Sequence, residues 1–511
     1  MKPTRYFIAL SFLVLCLSRQ QSLAQTALAQ VDLGPKITND MLSRAMSVYG
    51  MNSRAAEPYT IIETGKRYRY DHLVHPDSAW VDDYNRVVHV FPAENELEVG
   101  LYSQELGSSE VDSMRSIRKA DSWYELRGAY ALRYDSIRSK EMYNQLIFNY
   151  PAMLLADILS HKEQFKWKTS GILQGLPVMT FRYIDVAGTS WMISFDNKTA
   201  QIVQAESVKD HELLGDVTVS YRYTEYMKLR NVHFPSHVVL KENERTICDL
   251  QQSMIMNTGY QPVSLPDSLT DAETGKAVNY YITRDQIRIS PVAQNLYSIE
   301  LPQANSRLML ALFKDYSVLL EGAFNSRNGD MVMDTLRKMF PKQPVKYASY
   351  SHFHDQYIGF VRSLVYYDVI LLFPPNNLSW VRTIVNGKHT ITRDSLSERS
   401  KAMKYELVPQ KKIIKDSRNR LEIFQVGPNH TAEYLVFYFP RQKIAFTGDL
   451  VFVKDTEPVP AAGERTRKLY KRMQQLKWKV DTIYTSWPLQ GYGVKNVMSY
   501  SDLQKACTES H

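Results

Sequence analysis

The stretch Ser351-His352-Phe353-His354-Asp355-Gln356-Tyr357-Ile358-Gly359 decides the fold of the C-terminal half of this chain. It follows a β-rich run, Val345 to Tyr350, and leads into Ile358 to Tyr366, which predicts a helix. Two histidines at positions i and i+2 of a turn at a strand end can aim their imidazole nitrogens at one point, as zinc ligation requires. Histidine pairs are also common in ordinary cores and surfaces, so the motif alone leaves both interpretations open.

A second polar pair lies further along the chain. His430 precedes the predicted strand Tyr434 to Phe439, and Asp449 follows Gly448 after the apolar run Ile444 to Phe446. Taken alone, an Asp after a Gly is ordinary turn chemistry. The order strand, His-x-His, helix, then His, strand, turn, strand and Gly-Asp is much rarer than its parts.

In this order the motifs resemble those of the metallo-β-lactamase superfamily, whose first motif reads T-H-x-H-x-D-H-x-G-G. His352 and His354 fall on its first two metal-ligand positions, His430 on the third histidine and Asp449 on the metal-bridging Asp. The separations, 76 residues from His354 to His430 and 19 from His430 to Asp449, are similar to the family's. The resemblance covers residues 280–505 and implies an α/β fold, the αββα metallo-β-lactamase-like sandwich.

This sequence departs from the family at the second metal site. Gln356 stands where the family has its Asp, Tyr357 where it has the next His, and Trp487 where it has the last His. The amide of Gln356 is a poor zinc ligand, and the indole of Trp487 offers only an N–H donor. Tyr357 could bind zinc only as a phenolate, which its usual pKa near 10 disfavours. The resemblance therefore implies at most one zinc ion, held by His352 and His354 together with His430 and Asp449.

The catalytic group implied by the resemblance is a metal-bound water, which attacks an ester, amide or phosphoester bond. Asp355 is a weak candidate for a substitute general base, since it lies one position before Gln356 and next to His354. Neighbouring side chains point in different directions, which argues against this role.

The N-terminal half predicts an antiparallel β-sheet domain with a helical cover. Alternating runs such as Met179 to Tyr183 and Trp191 to Phe195 indicate strands, and Lys140 to Lys166 predicts a helix broken at Pro151. We predict a β-rich domain over residues 25–260, a linker over 261–278 and the metallo-β-lactamase-like domain over 279–511. More loosely, the first domain resembles lipoprotein-carrier-type β-sheet domains.

The N-terminus predicts export. Lys2 and Arg5 precede an apolar run, Tyr6 to Leu17, and Ser22-Leu23-Ala24 provides a small-residue cleavage pattern, so residues 1–24 read as a signal peptide. The bulky Leu15 before Cys16 does not favour lipoprotein anchoring. The expected location is periplasmic or extracellular, without a transmembrane span in the mature chain.

The composition narrows the choice of partners. Three cysteines in 511 residues exclude a disulfide framework, and without the basic residues of the signal peptide 59 Lys and Arg face 54 Asp and Glu. This mildly basic chain has no basic run of five or more residues and does not indicate nucleic-acid binding. Three functions stay open: a single-zinc hydrolase, an inactive protein that binds a small-molecule or envelope ligand on the retained fold, and a lipid or hydrophobe carrier that acts through the N-terminal domain.

Overall fold

A computed structural model describes the chain in two compact units. The described residues are 33–51, 57–70, 78–91, 96–105, 111–127, 130–256, 259, 261–271, 282–427 and 431–508. The first unit comprises Met1–Tyr68, Val81–Val208 and Thr218–Thr274, and the second comprises Arg69–Trp80, Lys209–Val217 and Gly275–His511. The predicted signal peptide lies outside the described residues, and the domain boundaries at 260 and 279 stay predictions.

The N-terminal half of the chain forms a 14-stranded sheet in the order β14-β6-β5-β4-β3-β2-β1-β13-β12-β11-β10-β9-β8-β7. Its strands are β1 (Tyr59–Arg69), β2 (Trp80–Phe91), β3 (Glu96–Glu105), β4 (Val111–Lys119), β5 (Ser122–Arg127), β6 (Tyr130–Arg133), β7 (Phe165–Leu173), β8 (Leu176–Ile184), β9 (Ser190–Asp196), β10 (Ile202–His211), β11 (Gly215–Leu229), β12 (Val232–Glu242), β13 (Arg245–Met256) and β14 (Ser268–Asp271). Consecutive strands such as β7 and β8 pair antiparallel, because short turns join them. Strand β14 lies inside the predicted linker and pairs parallel with β6.

Three helices accompany this sheet: α1 (Leu33–Val48), α2 (Ser136–Ile147) and α3 (Pro151–Ser160). Helix α1 contacts β7, α2 contacts β5 and α3 contacts β12. The predicted break at Pro151 is confirmed, since the proline opens α3 at a position where its missing N–H has no cost. No described helix has the length and apolarity that a membrane crossing requires.

The second unit contains two further sheets. One has the order β15-β16-β17-β18-β19-β20-β21 and the other β22-β23-β24-β25-β26-β27. The strands are β15 (Arg288–Ala293), β16 (Leu296–Leu301), β17 (Ser306–Leu312), β18 (Ser317–Leu320), β19 (Val345–Ser349), β20 (Ile370–Phe373), β21 (Lys404–Leu407), β22 (Lys411–Lys415), β23 (Arg420–Gln425), β24 (Leu435–Phe439), β25 (Ile444–Phe446), β26 (Thr482–Tyr484) and β27 (Val497–Ser499). Strands β18 to β21 run parallel, so their carboxyl ends meet at one edge.

Helices cover these two sheets, and three hydrophobic cores connect the layers. The helices are α4 (Ser326–Met339), α5 (Asp355–Ile358), α6 (Val361–Tyr366), α7 (Leu378–Asn386), α8 (Ser395–Glu398), α9 (Glu464–Gln475) and α10 (Tyr500–Thr508). One core joins α4, α6 and α7 to the first of these sheets, a second joins the two sheets, and a third joins α9 and α10 to the second sheet.

A buried arginine fixes the end of one helix in this layer. The Arg362 guanidinium donates to the backbone oxygens of Ile384, Val385 and Gly387, at 2.8 to 3.0 Å, and so satisfies carbonyls that a helix end leaves free. It also forms a bidentate pair with the Asp394 carboxylate, with N–O distances of 2.6 and 2.9 Å. Burial alone would raise the Asp394 pKa, but the hydrogen bonds and charge of Arg362 lower this pKa to about 2.

Candidate metal centre

The His-x-His motif lies in the loop that follows β19, at the carboxyl edge of the parallel strands. His352 is 0% exposed and His354 is 4% exposed, so both imidazoles lie inside the second unit. His354 is also the residue that caps the start of α5. The predicted strand, turn and helix around the motif are confirmed.

The two imidazoles face each other. Ser351 Oγ lies 2.9 Å from His352 Nδ1, and His352 Nε2 lies 2.9 Å from His354 Nδ1. The Ser351 hydroxyl is thus hydrogen-bonded to Nδ1 of His352, and Nε2 of His352 faces His354. One zinc ion with Zn–N bonds of about 2.0 to 2.1 Å holds tetrahedral ligand atoms about 3.3 Å apart, which is close to the separation of these two nitrogens.

Asp449 belongs to the same buried centre and is fixed by Tyr434. The tyrosine hydroxyl lies 2.9 Å from Asp449 Oδ1, to which it donates, and the Asp449 backbone N–H donates to the hydroxyl oxygen at 2.9 Å. Gly448 has a φ of +60°, and a Cβ there would lie 2.0 Å from the Tyr434 hydroxyl oxygen. The positive φ and the lack of space for a Cβ therefore both require glycine at this turn.

Two tyrosine rings pack on His352. The ring centroid of Tyr357 lies 4.4 Å from that of His352, and Tyr434 stacks on its imidazole at 4.7 Å. Burial, followed by the nearby Asp449 charge, raises the pKa of both phenols well above the usual value. The raised pKa favours the neutral phenol of Tyr357.

A buried acid lies beside the histidine loop. Glu321, directly after β18, accepts a hydrogen bond from the Ser351 backbone N–H at 3.1 Å, and its Oε1 has no hydrogen-bond partner among the described residues. Burial, with a smaller contribution from the Asp449 charge, raises the pKa of Glu321 to about 8. Its φ of +72° is uncommon for a residue with a side chain.

The remaining predicted positions lie around this centre or outside the described residues. The Asp355 side chain is exposed and that of Gln356 is half-buried. Trp487 packs against Phe452 and Tyr492, with ring centroids 6.0 and 4.7 Å apart. The third predicted ligand, His430, lies outside the described residues.

Three of the predicted zinc ligands lie within the described residues. His352 and His354 present two facing nitrogens, and Asp449 adds a carboxylate to the same buried centre. No group of three or more His, Cys, Asp or Glu side chains within the described ranges is placed to hold a metal ion. One zinc ion at the two histidines would require a third ligand, and the ligand assignment stays a prediction.

Two residues of the centre received no role from the sequence. Tyr434 begins a run of ordinary strand-forming residues, and nothing in its neighbours indicates a bond to an aspartate fifteen positions later. Glu321 lies directly after the buried strand β18. A polar residue that interrupts a buried run is the one available signal for it.

Comparison with known proteins assigns the C-terminal part to a protein superfamily. The family model described as the metallo-β-lactamase superfamily matches residues 384–487, a range that includes Asp449 and Trp487 and leaves out the His-x-His loop. No curated protein sequence matches the chain.

Solved structures of three metallo-β-lactamases are similar to this chain. They are an enzyme from Pontibacter korlensis (18% identity, TM-score 0.32, 43% of this chain and 96% of that one), FIM-1 from Pseudomonas aeruginosa in a mono-zinc form (16%, 0.31, 44% and 96%) and an enzyme from Hirschia baltica (15%, 0.32, 43% and 95%).

Proposed function

We propose that this chain, whose C-terminal part is a metallo-β-lactamase superfamily domain, is a hydrolase-like protein. It would bind one zinc ion through His352, His354 and His430. The supporting observation is the pair of buried imidazole nitrogens that face each other at 2.9 Å. Zinc bound there would supply a water of lowered pKa, able to attack an ester, amide or phosphoester bond.

The chain's own residues would prepare this centre in three ways. Ser351 engages Nδ1 of His352, so Nε2, which faces His354 Nδ1, would be the nitrogen that binds the metal. Tyr434 holds the Asp449 carboxylate in place. Tyr357 occupies the position of the missing histidine as a neutral phenol, so a single ion is proposed instead of two.

The proposed site of action is the periplasm or the exterior, since residues 1–24 have the pattern of a signal peptide. The substrate would be a small molecule or an envelope component.

Metal analysis tests the proposal. The mature chain, purified without chelator, should contain about one zinc ion, and His352→Ala should contain none. His237→Ala is the matched control, because this histidine lies on β12 of the first sheet and should leave the zinc content unchanged. Zinc retained by His352→Ala, or no zinc in the wild type, would overturn the ligand assignment.

The zinc-loaded protein should then be screened against esters, thioesters, lactams and phosphodiesters. Hydrolysis that His352→Ala abolishes would support the enzyme. A folded, zinc-loaded protein that cleaves none of them would favour the inactive binding protein, to which the tyrosines packed on His352 also lend support.

A cavity in the first unit favours a second candidate function, the transport of a hydrophobic ligand. It has a volume of about 640 Å³, and most of its walls are apolar: Tyr49, Tyr59, Val90, Phe91, Leu97, Met153, Val232 and Met256. Such a lining suits the body of a lipid or another hydrophobe. The charged residues of the wall are two arginines and two glutamates: Arg118, Arg230, Glu57 and Glu96.

Binding of a fluorescent fatty acid tests this second candidate. Ala152→Phe places a ring into the cavity and should weaken binding at least ten-fold, whereas Met227→Phe, at an exposed position on β11, should not. Equal binding by Ala152→Phe and the wild type would contradict the carrier function.

A further inference from the structure

The hairpin of β7 and β8 ends in a rigid two-residue turn. Leu173 pairs with Leu176, and between them Gln174 and Gly175 have φ values of +49° and +85°. Positive φ at both central residues is the signature of a type I′ turn, which matches the twist of the flanking strands. Strand β7 is also the last strand of the 14-stranded sheet. The tip therefore has one defined shape at the sheet edge.

The tip presents apolar side chains to solvent on both faces. Ile172 is 78% exposed and Leu176 is 43% exposed. Ile172 pairs with Pro177 and Leu173 with Leu176, and successive pairs point to opposite faces of a hairpin. Exposed apolar side chains thus lie on both faces of the tip, beside the exposed Gln174 of the turn, and this grouping distinguishes them from single exposed apolar residues.

The two strands of this hairpin carry basic residues and no acidic ones. Residues 165–184 contain Lys166, Lys168 and Arg182 and no Asp or Glu, which gives the two strands a charge of +3. Lys166 and Arg182 lie directly opposite each other, and like charges in this arrangement destabilise a strand pair. The adjacent turn holds the exposed Lys198 and also Asp196, which pairs with Val178; the Asn197 backbone N–H in this turn donates to the Pro177 oxygen at 2.9 Å.

We propose that the tip of this hairpin inserts into the surface of an anionic lipid membrane. The apolar tip would enter the boundary between headgroups and acyl chains, and the lysines would contact anionic headgroups. A second copy of the chain is disfavoured as the occupant, since it would bring two sets of positive charges together. The irregular register between Trp167 and Thr169 also interrupts the edge that another strand would need.

The dimensions of the hairpin suit this placement. Val178 is buried, and the hairpin continues beyond it for three residue positions to the turn, about 10 Å at the usual rise per residue. This length matches the 5 to 10 Å to which interfacial apolar groups are buried. Lys168 would then lie level with the headgroups.

Vesicle co-sedimentation tests the inference on the predicted mature chain, residues 25–511. We expect binding to phosphatidylglycerol vesicles that is at least ten-fold stronger than to phosphatidylcholine vesicles and that weakens with added salt. The double variant Ile172→Ser with Leu176→Ser should lose at least ten-fold in affinity. Ile137→Ser, at an equally exposed apolar position on α2, should bind like the wild type.

A second variant reports insertion directly. Leu176→Trp should shift its fluorescence to shorter wavelength with phosphatidylglycerol vesicles and keep its spectrum with phosphatidylcholine. Wild-type protein that binds neither vesicle, or a double variant that still binds, would overturn the inference. So would a wild type that is dimeric where the double variant is monomeric, because a second copy would then be the occupant.

Discussion

Replacing Glu321 by glutamine should remove a large pH dependence from the stability of the second unit. The carboxyl group is fully buried, and burial raises its pKa to about 8, against 4.5 for an ordinary glutamate. Between these two values the folded protein keeps a proton that the unfolded chain has lost. Stability contributed by this group is therefore complete below pH 4.5 and is lost as the pH rises through 8.

The size of the effect follows from the two pKa values. Each unit of separation corresponds to about 1.4 kcal/mol, so between pH 5 and pH 8 the wild type should lose about 3 kcal/mol relative to Glu321→Gln. The glutamine oxygen can still accept the Ser351 backbone hydrogen bond, so the variant differs from the wild type mainly in its titration.

Urea unfolding of chelator-treated protein at pH 5, 7 and 8 measures this difference. Glu398→Gln, on the exposed part of α8, is the control and should follow the wild type at each pH. A difference between wild type and Glu321→Gln that stays constant across the three pH values would refute the assignment of a protonated Glu321.

Two further changes test other parts of the second unit. Asp394→Asn leaves the Arg362 charge buried without its carboxylate and should lower the free energy of unfolding by about 2 to 4 kcal/mol in urea titrations at pH 7. Because the Asp394 pKa is lowered to about 2, its contribution is present above pH 4 and lost as the pH falls towards 2, and the variant should lack this acid-dependent loss. Gly448→Ala should destabilise the unit by more than 2 kcal/mol in thermal unfolding and lower its zinc content, since the new Cβ would collide with Tyr434. Gly463→Ala, where no atom lies within 4 Å of the added Cβ, should have little effect, and equal stability of the two alanine variants would contradict this reading of the turn.

Much of the second unit could be predicted from the sequence alone, because its strands and helices have strong local signals. The runs Leu308 to Leu312 and Val369 to Phe373 are continuous apolar segments, which is the pattern expected of strands that are buried on both faces. The metallo-β-lactamase resemblance rested on motifs in a fixed order, and the family match over residues 384–487 confirms it for the C-terminal part.

The contacts within the candidate centre could not be predicted from such local signals. Tyr434 reaches Asp449 through the geometry of a turn between two strands, and the protonation of Glu321 depends on burial created by several elements at once. Long-range packing of this kind leaves no periodic pattern in the chain. The short strand β14, inside a stretch rich in proline and acidic residues, was missed because propensity is a weak guide where a neighbouring strand supplies the hydrogen bonds.

The Tyr434 hydroxyl has a consequence for how the protein would respond to zinc supply. It accepts from the backbone N–H of Asp449 and donates to the carboxylate of the same residue, so the loop is held by protein groups alone. Domains that need a metal to fold unfold when the metal is removed. Here the fold would persist, and the amount of protein would stay constant through zinc starvation while the fraction able to work rose and fell with the metal.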